Sequence, residues 1–402
     1  MALLSQRIQK VKPSATLQIT AQAKAMRAAG QDVIGLGAGE PDFDTPKHIK
    51  KAAIKAIEAG FTKYTAVDGI PELKNAIIKK FKKDNNLIFE ANQIVVTVGG
   101  KQAFFNMAQA MLDAGDEVII PTPYWVSYPD MVLLADGTPV IVDTQEENGF
   151  KLTPAELEKA LTKKTRLVIL NSPSNPTGSA YSAEELAALG EVLLKHPHVY
   201  AVSDDIYEKI VYDNFEHFTF AEACPEMKER SIILNGVAKA YAMTGWRIGY
   251  AAGPAEIIKA MTKIQSQSTS CATSIAQVAA AAAIGGSQKC VAPMLKAFTK
   301  RRNYVVKTLN KIPGISCRNP EGAFYVYPNV SGLMGKKTPK GDEIKTTIDL
   351  AAHLLESKGV AVVPGSAFGM DPYIRISFAT SMADLKEALK RIHAVAKVLT
   401  GE

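Results

Sequence analysis

The sequence predicts an α/β fold built on a mostly parallel sheet, followed by a smaller α+β domain. Three observations carry that prediction. Short apolar runs alternate with helical segments from Ile94 to Leu234, and apolar runs of that kind belong to parallel strands buried on both faces by helical crossovers. The 402-residue length exceeds what one core usually organises. After Thr273 the alternation gives way to helices and then to a mixed tail.

In chain order, residues 14–29 predict a helix with Ser14 as N-cap and Gly30 as its stop. Val33–Leu36 predicts a short strand ahead of the turn-rich Gly37–Pro46. Helices follow over 47–59, ended by Gly60, and over 71–83, started by Pro71. Ile94–Val98 is an apolar strand that turns through Gly99-Gly100 into an amphipathic helix reaching Leu112. Glu117–Ile120, Pro139–Val142, Leu167–Leu170, Tyr200–Ser203 and Ile232–Leu234 are further strands, with helices at about 154–161 and 182–195. Beyond Thr273 the pattern predicts helices over 274–284 and 293–310. Strands near Phe324–Tyr327, Val360–Val363 and Tyr373–Phe378 and a closing helix over 382–398 complete the tail. The N-terminal helix is expected to pack with this tail, because regular alternation begins only later.

Composition narrows the function classes. Hydrophobic residues at 47% and charged residues at 22% describe a soluble globular chain. The net charge of +7 is spread in short groups such as Lys79-Lys80, Lys82-Lys83 and Lys300-Arg301-Arg302. That spread reads as a solvated surface and predicts no nucleic-acid partner; a mild positive field can still gather anionic substrates. Cys224, Cys271, Cys290 and Cys317 show neither CxxC nor zinc-ligand spacing, so no metal and a reduced, cytoplasmic setting are expected. Met1–Lys10 lacks a hydrophobic signal core and no window approaches 18 apolar residues, so no membrane association is expected.

The strongest chemical signal is Asn235-Gly-Val-Ala-Lys239, continued as Ala-Tyr-Ala-Met-Thr-Gly-Trp-Arg247-Ile-Gly249. Lys239 follows small residues at the end of an apolar strand, where a lysine is costly unless it reacts, pairs or turns neutral. Desolvation lowers its pKa, which suits covalent chemistry with carbonyl groups. Arg247 lies in a glycine-flanked turn and suits an anion clamp. Gly99-Gly100-Lys101 opens a helix after a strand, a backbone arrangement that binds phosphate. Asp204 ends an apolar strand, where a carboxylate needs a cationic partner. Asn171-Ser-Pro-Ser-Asn175-Pro176-Thr-Gly178 forces an irregular turn that presents Asn175. Arg375 falls within a strand of the tail, and its planar guanidinium suits bidentate capture of a carboxylate. Gly35-Leu-Gly37-Ala-Gly39 looks like part of a dinucleotide fingerprint, but Glu40-Pro41 stands where the helix should start, so NAD binding is not expected.

Position by position, the Lys239 segment resembles the attachment signature of class I aminotransferases, which use pyridoxal 5′-phosphate (PLP). The resemblance covers essentially the whole chain. It implies a fold type I PLP-dependent transferase: an N-terminal arm with part of the small domain over 1–45, a large PLP-binding domain over 46–290 and a small C-terminal domain over 291–402. It implies Lys239 as the residue that holds PLP in a Schiff base. Trp125 would stack on the pyridine ring, Asn175 and Tyr207 would bond its 3′-oxygen, and Asp204 would pair with its nitrogen. Gly99, Gly100, Lys101 and Arg247 would hold the phosphate. Tyr64 would reach the phosphate of the neighbouring subunit, so a homodimer with shared active sites is implied. Gly39 and Arg375 would bind the substrate, with Trp125 and Asn175 lining the same pocket.

Within the family the sequence is similar to the subgroup Ib aspartate aminotransferases, including the bifunctional aspartate/prephenate enzymes. The similarity rests on Val11-Lys12-Pro13-Ser14-Ala-Thr16, Gly39-Glu-Pro-Asp-Phe-Asp-Thr-Pro46, Gly99-Gly-Lys101-Gln and Tyr124-Trp-Val-Ser-Tyr128. Subgroup Ia enzymes bind the distal carboxylate with an arginine after the PLP lysine, whereas here no arginine lies between Arg247 and Arg301. Lys101, Lys12 and Thr16 are the residues that the resemblance offers instead. Gly236 stands where subgroup Ia has a phosphate-binding serine. The implied activity is ping-pong transfer of the amino group of aspartate or glutamate to 2-oxo acids such as 2-oxoglutarate and oxaloacetate, with prephenate to arogenate as a second activity. The competing readings are a lyase or aminotransferase of the same fold acting on aromatic amino acids or kynurenine, and a PLP-sensing regulator.

Overall fold

The computed structural model describes residues 3–402. The first 90 residues supply α1 (Gln6–Gln9), α2 (Ala15–Ala28), β1 (Ile34–Gly35), α3 (Lys47–Glu58) and α4 (Pro71–Asp84). The alternating region then runs β2 (Ile94–Thr97), α5 (Gly100–Met111), β3 (Glu117–Pro121), α6 (Ser127–Leu134), β4 (Thr138–Val142), α7 (Pro154–Ala160), β5 (Thr165–Asn171) and α8 (Ala183–Leu194). It continues through β6 (Tyr200–Asp204), α9 (Phe220–Ala223), β7 (Ser231–Gly236), β8 (Gly249–Ala252), α10 (Ala255–Ser266) and α11 (Ser274–Gly285). The rest comprises α12 (Val291–Leu309), β9 (Tyr325–Val326), α13 (Thr347–Lys358), β10 (Val360–Ala361), β11 (Val363–Pro364), β12 (Ile374–Ser377) and α14 (Met382–Thr400).

Seven strands form one sheet in the order β2-β8-β7-β6-β5-β3-β4. Neighbours from β7 to β4 run parallel. β8 runs antiparallel to both β2 and β7, a strand that the sequence reading did not anticipate. The central strands are apolar on both faces, and Leu167–Leu170, Ala201–Val202 and Ile232–Leu234 are all buried. Each such Leu, Ile or Val removed from water contributes about 1.5–3 kcal/mol. α3, α4 and α11 cover one face through a cluster that includes Ile49, Ile77, Phe81, Ala279 and Ala280. α5, α6 and α10 bury Phe104, Met107, Val132 and Met261 in a second cluster.

Two small sheets make up the other layer: β1-β10, and β11-β12-β9. The single strand expected over Val360–Val363 divides at Val362. β10 pairs in parallel with β1, while β11 pairs antiparallel with β12. α2 packs here as expected, with Ala23 in a cluster with Val33, Leu355 and Ala361. Ser14 does precede α2, but its side chain makes no capping hydrogen bond. α6, α10 and α13 were not anticipated. Among the described residues, no helix is long and apolar enough to cross a membrane.

Candidate active site

The carboxyl ends of the large-sheet strands open towards the small sheets, the usual ligand position in open α/β sheets. A cleft lies there, lined by Thr16, Gly39, Gly100, Lys101, Trp125, Asn175, Asp204, Tyr207, Lys239, Arg247 and Arg375, with Ser14, Tyr128 and Tyr325. Its contributors come from the loops after β2, β3, β5, β6 and β7, from the N-terminal segment and from β12.

Lys239 lies three residues beyond β7. Its Nζ donates to the carbonyl of Gly39 at 2.6 Å. Burial, then the nearby charges of Arg375 and Arg247, pull its pKa down from 10.5 to about 8. A minority of this amine, far more than for an ordinary lysine, is therefore neutral near physiological pH, the form in which a lysine attacks a carbonyl or takes a proton.

Asp204 ends β6. Its Oδ2 accepts from the Tyr128 hydroxyl at 2.5 Å and its Oδ1 from the Ile206 N–H at 3.3 Å. Burial pushes the carboxyl up, against the opposing pull of those two bonds and of Lys239. The cationic partner expected for Asp204 is the cofactor's ring nitrogen; the protein's own donors to the carboxylate are a phenol and an amide. Tyr128 was missed, although it stands three residues after Trp125, whose carbonyl accepts from the Tyr128 N–H at 3.0 Å. The two rings meet edge to face at 5.1 Å.

Asn171 organises the neighbouring turn: its Nδ2 donates to the carbonyl of Asp204 and its Oδ1 accepts from the Asn175 N–H, both at 2.9 Å. The Asn175 Oδ1 accepts from Arg375 Nη1 at 2.7 Å, and Arg375 Nη2 donates to the carbonyl of Gly37 at 2.6 Å. Arg375 is 2% exposed, and its guanidinium lies against the Tyr325 and Phe368 rings at 4.6 and 5.0 Å. Its Nε makes no hydrogen bond among the described residues. Tyr325, also missed, shares a 2.8 Å hydrogen bond with the Tyr207 hydroxyl.

The β2–α5 turn is close-packed against the Arg247 turn. Gly99 has φ 79°, and a Cβ there would stand 2.5 Å from Arg247 Nη2. A Cβ on Gly249 would stand 2.3 Å from the Gly100 nitrogen. The N–H groups at the start of α5 and the Arg247 guanidinium therefore share one small volume, suited to an anion. Gly236 has a packing reason as well: a Cβ there would come within 2.9 Å of the Ile248 carbonyl. A serine does not fit without backbone movement.

Lys101 Nζ donates to Ser127 Oγ at 3.0 Å and sits 5.0 Å from the Trp125 ring centre. Burial, then the charge of Arg247, lowers its pKa. Thr16 lines the cleft with a buried Oγ1 that has no partner among the described residues. Lys12 is not brought into the cleft: its side chain is exposed, and its backbone N–H donates to Asp130 Oδ1 at 3.4 Å. Gly99 lies just behind the lining. Tyr64 stands apart, 93% exposed.

The model of the family "aminotransferase class I and II" matches residues 31–392. The aspartate/prephenate aminotransferase of Cereibacter sphaeroides is 57% identical over 98% of both chains. An aspartate aminotransferase of Rhizobium meliloti is 56% identical, over 96% of this chain and 95% of its own. The crystal structure of the aspartate aminotransferase from Rhizobium meliloti has a TM-score of 0.96 at 54% identity, covering 99% of this chain and 100% of that one. The Thermus thermophilus aspartate aminotransferase with maleate has a TM-score of 0.92 at 44% identity, over 98% of this chain and 100% of its own. The chain thus belongs to the class I and II aminotransferases.

Proposed function

We propose that this chain transfers the amino group of L-aspartate or L-glutamate to 2-oxo acids with PLP, and that it also aminates prephenate to arogenate. The reading has a large cofactor-binding domain over 46–290, a small domain assembled from residues 1–45 and 291–402, and two subunits with shared sites, in the cytoplasm. One observation carries it. A lysine with a lowered pKa, a half-buried carboxylate whose pKa is raised and a buried arginine with an unused donor face the same cleft. Class I aminotransferases imply PLP, and the residues fit that group. The half-buried Asp204 carboxyl, held up by desolvation, suits a ring N–H. The turn at Gly99, Gly100 and Lys101, with Arg247, suits a phosphate. Trp125 offers a flat face, and Asn175 and Tyr207 offer polar groups for the ring oxygen.

When bound, PLP supplies an electron sink for the charge left when a substrate Cα–H bond breaks. Lys239 would hold the cofactor, and its Nζ is the group placed to take the proton from the substrate Cα. Asp204, steadied by Tyr128, keeps the ring nitrogen protonated. Arg375 fixes the substrate α-carboxylate, and Gly39 offers its backbone beside it. Lys101 meets the distal carboxylate with Thr16, and Lys12, exposed in the present arrangement, joins them when the N-terminal segment closes over the site. Tyr64 of the partner subunit completes the phosphate site. The exposed apolar residues Ile54, Ile57 and Phe61 beside it support a subunit contact.

Initial rates with aspartate, glutamate, tyrosine and prephenate, each with a matched partner, test the substrate class. Aspartate, glutamate and prephenate are expected to turn over; activity confined to tyrosine would sink the reading. Lys12→Ala should slow prephenate more than aspartate, and equal losses would remove Lys12 from specificity. Because neutral Lys239 is the reactive form, capture of PLP by the apo chain should accelerate as pH rises and level off above about 8. Stopped-flow absorbance would read this; a rate still climbing towards pH 10.5, the ordinary lysine value, would contradict it.

A further inference from the structure

The segment between α3 and α4 is tied down from behind by an unusual density of buried side chains. Ser274 Oγ donates to the Phe61 carbonyl at 2.9 Å. Cys271 Sγ accepts from the Thr65 N–H at 3.5 Å. Gln277 uses both ends of its amide: Nε2 donates to Thr65 Oγ1 at 3.0 Å and to the Ala272 carbonyl at 2.8 Å, and Oε1 accepts from the Ile70 N–H at 2.8 Å. Gln265 Nε2 donates to the carbonyls of Val67 and Val96, both at 2.8 Å. Lys74 pairs with Asp68, whose carbonyl accepts from the Val96 N–H at 3.0 Å. Both glutamines are 0% exposed.

A buried amide is costly to desolvate, so two of them spent on one loop need a reason. The loop's own contents supply it. The anchored Thr65, Val67, Asp68 and Ile70 are half-buried or buried, while Tyr64 just before them is 93% exposed. A phenol on a loose loop would lose its freedom on docking, and that loss would be subtracted from its binding energy. A loop fixed in advance avoids the loss. Gln265 also joins the loop to β2, the strand that leads into this chain's own Gly99–Gly100 turn.

We propose that Gln277 and Gln265 are positioning residues that hold residues 61–70 in the conformation that delivers Tyr64 to the cofactor phosphate in the partner subunit's site. This rests on the reading of Tyr64 given above. The test is the dissociation constant of PLP, titrated by fluorescence into the full-length apo dimer. The proteins are wild type, Tyr64→Phe, Gln277→Met, Gln265→Met and each Gln→Met variant combined with Tyr64→Phe; sedimentation and melting temperature are followed in parallel. Tyr64→Phe should weaken PLP about tenfold, the worth of one charge-assisted hydrogen bond. Each Gln→Met variant should weaken it severalfold, and the double variants no more than Tyr64→Phe alone, because the glutamines act through Tyr64. Thr65→Val removes the Gln277 contact from the loop side, should shift PLP affinity in the same direction, and serves if Gln277→Met does not fold. Unchanged affinity in Tyr64→Phe defeats the reading of Tyr64 itself. Weakening in Tyr64→Phe with unchanged affinity in the Gln→Met and Thr65→Val variants, even at a lowered melting temperature, overturns the positioning proposal alone. So do losses that multiply in the double variants.

Discussion

Lys239→Ala is expected to lower transamination by at least about 10⁴-fold, the upper range for removing a general base, with loss of the covalent attachment added to it. The change is local. It removes one side chain and frees the Gly39 carbonyl, whose donor it was. An unpaired carbonyl beside an open cleft can turn to water, so the melting temperature should move little. Single-turnover mixing of the loaded variant with aspartate checks the chemical step apart from product release. A variant that still deprotonates aspartate at the wild-type rate would remove Lys239 from the reaction.

Arg375→Lys keeps the charge and should nonetheless lower kcat/KM for aspartate by roughly 10²–10³-fold, because lysine lacks the planar fork that matches a carboxylate. The loss should fall mainly on KM, since the α-carboxylate is bound in ground and transition states alike. The substitution also leaves Asn175 Oδ1 or the Gly37 carbonyl without its donor. Each buried acceptor so orphaned costs about 1–3 kcal/mol. Stability should therefore fall here, unlike at Lys239, and the KM effect must be measured well below the variant's melting temperature. Equal affinity for aspartate in both proteins would show that the carboxylate binds elsewhere.

The strands that carry the site were readable because burial on both faces leaves little choice of residue: Leu167–Leu170 and Ile232–Leu234 are unbroken apolar runs. β8 was not, because Gly249-Tyr-Ala-Ala has no β-branched residue and adjoins a turn. Its strand character comes from neighbours β2 and β7 on either side. α6 and α10 start without a side-chain cap, after Val126 and Pro254 respectively. α13 did carry its signal: the Thr346 and Asp349 side chains form a capping box that was passed over. Lys239, Asp204, Asn175 and the Gly99–Gly100 pair were legible because each ends or follows a strand in a short, distinctive turn, while Arg375 stood out as a charge inside an apolar strand. Tyr128 and Tyr325 were not, since their roles exist only across gaps of 76 residues to Asp204 and 118 residues to Tyr207. Gly236 was legible as a departure, while its cause, a carbonyl of the adjoining segment, needed coordinates. Lys12 illustrates the opposite limit, a residue singled out by resemblance whose side chain points to solvent here.

The bond from Arg375 to the Gly37 carbonyl spans 338 positions of chain, and that from Lys239 to Gly39 spans 200. Such separations fix an order of assembly. The large sheet, closed by residue 252, can form while the polypeptide is still being made. The cleft cannot, because one wall is β12, whose last residue is Ser377 of 402. During synthesis Lys239 is therefore present for some time without the arginine proposed to hold its substrates. On the proposed reading, competence to discriminate between amino acids arrives only once β12 is made, and a chain cut short before β12 would keep the sheet and forfeit its selectivity.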